Sequence, residues 1–249
     1  AYGELHRVAA ARDGGIDVRF PGGVAGHSVG ELAAAAVAGI LEPVDAMRLV
    51  GVRGRAMAEA AALEPTGMAA VLGGDEPEVL ARLEALELTP ANYNGGGQIV
   101  AAGSISALET LGAEPPAGAR VIPLQTAGAF HTRYMAPAVE ALRVAAAELE
   151  PAAPAHAIWT NRDGSAVADG RAFLDLVVGQ VANPVRWDLV TESLRAAGVT
   201  GIIELAPAGT LVGLAKRAFK GAEPAVETVA VKTPDDLEAA LALLEGDRA

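Results

Sequence analysis

The chain of 249 residues carries a formal net charge of −12, is 51% hydrophobic but only 4% aromatic, and contains no cysteine. Disulfides, thiolate metal sites and a cysteine nucleophile are thereby excluded, and the acidic balance argues against a nucleic-acid partner, whose phosphates call for clustered Lys and Arg. No apolar run approaches the roughly 18 residues of a membrane span and no signal peptide is visible, so the expectation is a cytoplasmic protein that makes no use of a membrane.

Residues 2–12 (YGELHRVAAAR) read as part of a helix. The first strand candidate, Val24–His27, runs into Gly26-His27-Ser28-Val29-Gly30, a G-x-S-x-G pattern, and Glu31–Leu41 is the helix after it. A second helix is expected over 44–62. Residues 66–126 then read as a unit: strand 68–72, helix 76–87, strand 89–93, strand 98–102, helix 104–112, strand 119–124. This βαββαβ order is that of a ferredoxin-like subdomain. Further strands are expected at Ala157–Thr160, Gly201–Leu205 and Thr228–Val231, with alanine- and leucine-rich helical stretches between most of them. Pro184 marks a break between two helical runs. Thr233-Pro234-Asp235-Asp236 supplies an N-cap, a first-position proline and first-turn acids for a last helix that Gly246 closes. Strands alternating with helices predict an α/β protein with a largely parallel sheet.

Three residues stand out chemically. G-x-S-x-G can set a serine at the tip of a strand-to-helix turn, where backbone N–H groups at the helix start stabilise an oxyanion; Ser28 is the candidate nucleophile, against an ordinary glycine-flanked turn. In the helix over 44–62, Ala46, Leu49, Val50, Met57 and Ala60 form one apolar face by their i, i+3, i+4 spacing, and Arg53 falls on that face. Arg48, Arg55 and Glu59 lie on the other. An inward arginine is either a structural ion pair or the clamp of a substrate carboxylate. A serine hydroxyl needs a base, and His131, at the boundary after Gly128-Ala129-Phe130, is the best candidate. His27 points the other way along the strand and is expected to hold the elbow. His6 and His156 have no supporting context, and the four histidines lack a zinc spacing, so no metal site is expected.

The segments GHSVGE (26–31), RGRAM (53–57), TGMAAVLG (66–73), PANYNGGGQIVAAG (90–103), GAFHTRYM (128–135), QVANPVRW (180–187) and ELAPAGTL (204–211) occur together and in order. In this the chain resembles the malonyl-CoA:acyl carrier protein transacylases and the acyltransferase domains of fatty acid and polyketide synthesis. The resemblance implies an α/β-hydrolase-like large subdomain (1–62 and 127–249) with an inserted ferredoxin-like small subdomain (63–126). It implies that Ser28 is acylated, that His131 is its general base, and that the Gln180 main-chain carbonyl orients the imidazole where no Asp completes a triad. Val29 then supplies one oxyanion N–H and Arg53 clamps the malonyl carboxylate. Phe130, Met57 and Asn94 are further substrate-binding residues, Phe130 because GAFH is similar to the HAFH form of malonyl-selective domains.

The same resemblance implies malonyl-CoA and a phosphopantetheinylated acyl carrier protein as partners, no cofactor, and a monomer. Docking of an acidic carrier calls for a basic patch, for which Lys216, Arg217 and Lys220, alongside Arg186, are the candidates. The family's glutamine-bearing loop, source of a second oxyanion donor, has no match, so the N-terminal part of the large subdomain is expected to be missing. Two alternatives stand beside the transferase: a serine esterase or thioesterase of α/β-hydrolase type, and an inactive fragment.

Overall fold

The computed structural model describes residues 22–246; the helix expected over 2–12, with His6, lies outside them. The chain divides into two compact units, one of residues 24–190 and one that includes the described residues 22–23 and 191–246.

The first unit opens with β1 (Val24–Ala25), the serine turn and α1 (Gly30–Val37). Next comes α2 (Pro43–Ala61), started by the first-position proline and bearing Asp45 in its first turn. The expected faces are the observed ones: Ala46, Leu49, Arg53, Met57 and Ala60 are buried and Val50 is half-buried against the same core, while Arg48, Arg55 and Glu59 are exposed. After this come β2 (Thr66–Gly73), α3 (Glu76–Ala85), β3 (Thr89–Gly95), β4 (Gln98–Ser104), α4 (Ile105–Ala113) and β5 (Ala119–Leu124), the βαββαβ order read from the sequence. Asp75 and Ser104 cap α3 and α4 by accepting the Glu78 and Ala107 N–H groups. These satisfy donors that a helix start otherwise leaves unpaired.

The strands form one sheet in the order β5-β2-β4-β3, antiparallel throughout, the ferredoxin-like arrangement. A fifth strand, β7 (Val185–Arg186), joins β3 in parallel from much later in the chain. One sheet face packs on α3 and α4 through Val71, Val79, Leu83, Ile99 and Leu111. On the other, Met68, Ala91, Val100 and Ala102 pack with Ala129, Phe130 and Tyr134. That second face is the wall against which the segment bearing His131 is laid.

Beyond this sheet lie a 3-10 turn at Arg133–Met135, α5 (Ala136–Ala147), β6 (Ile158–Trp159) and α6 (Gly170–Gln180). β6 pairs in parallel with β1, Val24 opposite Ile158 and Ala25 opposite Trp159. The larger core is shared by α1, α2, α5, β6 and α6, with Leu32, Leu49, Met135, Leu142, Ile158 and Phe173 at its centre. Pro184 does lie in a break after α6, but the short strand β7 intervenes before the next helix, α7 (Trp187–Ala196).

In the second unit, β8 (Gly201–Glu204), α8 (Thr210–Ala218) and β9 (Glu227–Ala230) make a parallel β-α-β unit. The Glu204 carboxylate accepts the Gly209, Leu211 and Val212 N–H groups at the start of α8. The expected N-cap Thr233 forms a capping box with Asp236, ahead of α9 (Leu237–Gly246). Its start is tightened into a 3-10 turn at Pro234–Asp236.

Candidate active site

Ser28 sits between β1 and α1 with φ of 55°, a left-handed backbone that a non-glycine residue rarely adopts. The turn closes because Gly26 has no side chain: a Cβ there would lie 2.0 Å from the Gly30 carbonyl carbon. His131 is the second left-handed residue at the site, with φ of 61°. Its segment is pinned by the His131 N–H on the Val181 carbonyl at 3.1 Å and by the Ala129 N–H on Thr66 Oγ1 at 3.0 Å. Thr132 Oγ1 donates back to the Ala129 carbonyl at 2.6 Å.

These two strained residues meet. Ser28 Oγ lies 2.6 Å from His131 Nε2, and His131 Nδ1 lies 2.9 Å from the main-chain carbonyl of Gln180. A carbonyl only accepts, so the imidazole proton belongs on Nδ1 and the Nε2 lone pair faces the serine. Burial pushes the His131 pKa down to about 4, with the Gln180 carbonyl opposing the shift and the Arg53 cation adding to it. The ring is therefore neutral near pH 7 and free to accept a proton.

Arg53 completes the group. It is 8% exposed, and its Nη2 donates to Ser28 Oγ at 3.0 Å and to Gln180 Oε1 at 3.3 Å. Burial lowers its pKa to about 10, the nearby Glu31 charge opposing, so it remains a cation near neutrality. Among the described residues its Nε is a buried donor with no hydrogen-bond partner. A partly satisfied guanidinium aimed at a serine suits an anion better than an apolar group.

Behind the serine lies a polar cluster that the sequence did not single out. Asn161 Oδ1 accepts the Ser28 N–H at 2.7 Å, and Asn161 Nδ2 donates to the Gly26 carbonyl at 2.7 Å. One side chain thus clasps both sides of the turn. Glu31, 1% exposed, accepts the Asn161 N–H on Oε1 at 2.6 Å and the Gln180 amide on Oε2. Gln180 Nε2 also reaches the Ser28 carbonyl at 3.1 Å and Asn161 Oδ1 at 3.2 Å. Burial raises the Glu31 pKa to about 7, against the hydrogen bonds and the Arg53 charge that lower it. An acid in the first turn of a helix ordinarily reads as a dipole partner; only its inward direction marks it as different.

The other expected residues fall nearby or apart. His27 Nε2 bonds the buried Asn94 Oδ1 at 3.0 Å, and its ring tilts against Trp187 at 5.4 Å, so it ties the elbow to β3. Phe130 is half-buried and packs on the larger core and on the sheet face of Met68, Ala91, Val100 and Ala102. Met57, one turn beyond Arg53, is a core residue. Val29 is 44% exposed, and its N–H makes no hydrogen bond among the described residues. Arg186 is not the free cation expected of a basic patch. It forks onto Asp188 at 2.7–3.2 Å and lies over the Tyr93 ring at 4.6 Å. Lys216, in α8, and Lys220, two residues past its end, are exposed in the second unit. Among the described residues no cluster of His, Cys, Asp and Glu is arranged to hold a metal, and no helix is long and apolar enough to cross a membrane.

The profile of the acyl transferase domain matches residues 13–245. The chain belongs to the acyl transferase domain family. Among its relatives, the malonyl CoA-acyl carrier protein transacylase of Mycobacterium tuberculosis is 55% identical over 215 residues, which cover 86% of this chain and 70% of that protein. The crystal structure of MCAT from the same organism superposes with a TM-score of 0.86 at 51% identity, covering 94% of this chain and 76% of that one. A solved complex of a malonyl-transacylase with its type II PKS acyl-carrier protein superposes with a TM-score of 0.84 at 30% identity, over 96% of this chain and 76% of that one. As in these acyltransferases, an α/β-hydrolase-like part is joined to a ferredoxin-like one.

Proposed function

We propose that this acyltransferase moves a malonyl group from malonyl-CoA to the phosphopantetheine thiol of an acyl carrier protein, through an ester on Ser28. The observation that carries the reading is the Arg53 guanidinium 3.0 Å from a serine oxygen that also faces a neutral histidine. A hydrolase of neutral esters has no use for a buried cation there, and the named relatives are malonyl transacylases.

In the first half-reaction the malonyl carboxylate takes the guanidinium donors of Arg53. Ser28 Oγ attacks the thioester carbon while its proton passes to His131 Nε2, and the Val29 N–H, at the positive end of α1, faces the developing oxyanion. The C–S bond breaks and the CoA sulfur takes the proton from His131. In the second half-reaction the carrier thiol gives its proton to His131, attacks the ester carbon and releases Ser28, which recovers the proton. The Gln180 carbonyl keeps the imidazole in one tautomer through both halves. Phe130, beside the base, limits room for a methyl branch on the acyl group. Met57, packed in the larger core one turn beyond Arg53, and Asn94, bonded to His27, are read as further substrate-binding residues on the family resemblance.

The deciding experiment is intact mass spectrometry after incubation with malonyl-CoA. The expected result is one malonyl unit on the chain, lost on adding holo-carrier protein and absent in Ser28→Ala. Free malonate without a stable adduct would make the protein a thioesterase, and no reaction at all would make it an inactive fragment.

A further inference from the structure

Glu31 has no part in the transfer chemistry, yet it is among the most deeply buried polar side chains of the chain at 1% exposed. Both of its oxygens face donors. Oε1 takes the Asn161 main-chain N–H, whose identity as a donor is beyond question. Oε2 takes the Gln180 amide nitrogen. That amide cannot be turned over, because its oxygen receives Arg53 Nη2 and its nitrogen also faces the Ser28 carbonyl. An ionised carboxylate accepts from both donors at once, whereas an amide in its place would set a hydrogen against a hydrogen at one of them.

From this geometry we infer that Glu31 is a positioning residue: its carboxylate anchors the Gln180 side chain and the Asn161 backbone, so that the Gln180 carbonyl holds His131 in line with Ser28 Oγ. Gln180 is the link between them, since its main chain orients the base while its side chain bridges Glu31 and Arg53. The inference rests on the proposed Ser28–His131 chemistry. It requires only that Glu31 acts through Gln180, without touching substrate.

The charge state of Glu31 then governs the rate. The titratable groups around the cluster are Arg53 from α2, His131 from the segment after β5, and His27 at the elbow. Arg53 stays charged, and burial holds both histidines below their usual range. Glu31, raised to about 7, changes charge between about pH 5 and pH 8.

The test is single-turnover acylation of Ser28 by a malonyl thioester of a small phosphate-free thiol, followed over about pH 5 to pH 8. In the unaltered protein the rate should fall on the acid side with a midpoint near the raised value of Glu31, well above that of His131. Glu31→Gln should acylate about 10- to 100-fold more slowly at its plateau, the loss typical when an outer partner of a working group is removed. Its profile should be flat across the window, and its KM should not rise, because Arg53 is left less neutralised. Glu31→Asp, which keeps the charge on a shorter arm, should recover part of the rate and the acid limb. A Glu31→Gln protein within twofold of the original rate, or one keeping the acid limb, overturns the inference. Should the variant fail to fold, a rate independent of pH over the same window in the unaltered protein overturns it alone. Absence of any malonyl–Ser28 ester would instead sink the transferase reading, and mass spectrometry sees that separately.

Discussion

Between Thr66 and Leu124 the chain is held by strands of six to eight residues in antiparallel registers, continuous from β2 to β4 and β5 and interrupted only by two shifts between β3 and β4, closed on one face by an apolar core. The serine turn is made differently: β1 has two residues, and the turn is kept in a left-handed conformation by Asn161, Glu31 and Gln180, which come from places up to 152 residues away. The first region draws its stability from repetition. The second depends on a few polar groups, each with a specific partner, and tolerates strain because several of them hold it at once. Position of the base joins the two, since the sheet's second face supports Ala129 and Phe130 beside His131.

If the two regions are as separate as this, damage to the turn should remove chemistry and leave folding, while damage to the sheet should do the reverse. The largest effect belongs to the reacting pair. Ser28→Ala should abolish the malonyl adduct, and His131→Ala should slow acylation by a factor on the order of 10⁴–10⁶, because the two act as one unit; stopped-flow acylation measures both. Adduct formation at the original rate in Ser28→Ala would remove the turn from the chemistry altogether.

Arg53→Ala comes next. Removing one partner of a buried charge pair costs about 3–5 kcal/mol, so kcat/KM for malonyl-CoA should fall by roughly 10²–10⁴. Acetyl-CoA, which has no carboxylate, should lose much less. Equal losses for the two substrates would mean that Arg53 is there to hold Ser28 and Gln180 and not to select the acyl group.

On the sheet side, Leu83 is fully buried in the smaller core. Leu83→Ala should cost about 2–5 kcal/mol of stability, read as a lower Tm. Acylation kinetics well below the transition should be unchanged. A loss of rate that outruns the loss of stability would show that the two regions are more tightly joined than the architecture suggests.

The smallest effect is in the pH dependence of stability. His131, lowered from 6.5 to about 4, contributes stability that is present above about pH 6.5 and lost as pH falls toward its folded value. Glu31, raised from 4.5 to about 7, does the opposite: its unfolded form gives up the proton first, so stability is lost as pH rises from about 4.5 through 7. Between about pH 4.5 and pH 6.5 the two oppose each other, and Glu31→Gln leaves His131 without its counterweight. The Tm of that variant should drop by a few degrees more than the original's when pH is lowered from about 6.5 to 5. Parallel curves would mean that the two groups do not offset one another.

The regions also differ in how far the sequence revealed them. The βαββαβ strands and helices lie within two or three residues of the expected positions because alternation and caps are local signals. Arg53 was legible for the same reason, as a charge on the apolar face of a regular helix. Ser28 was legible through its flanking glycines and His131 as a base candidate at an element boundary, whereas Gln180 drew its role from the family resemblance alone. Glu31 and Asn161 carried no such signal. One looks like an ordinary first-turn acid and the other like a loop residue after a two-residue strand, and their partners lie 130 to 149 positions away in the chain. The Arg186–Asp188 fork was missed because i,i+2 partners do not face each other on a helix; here they meet where β7 turns into α7.

Gly26 and Gly30 touch backbone to backbone, with no room for even a methyl group between them. Strand and helix are therefore spaced at the turn by peptide atoms alone. Peptide atoms are the stiffest parts of a protein, so thermal expansion or repacking of the aliphatic interior shifts side chains without changing the height at which the serine oxygen stands. The turn behaves as a hard mechanical stop. An engineer who alters the side chains around the turn can expect Ser28 Oγ to stay where it is.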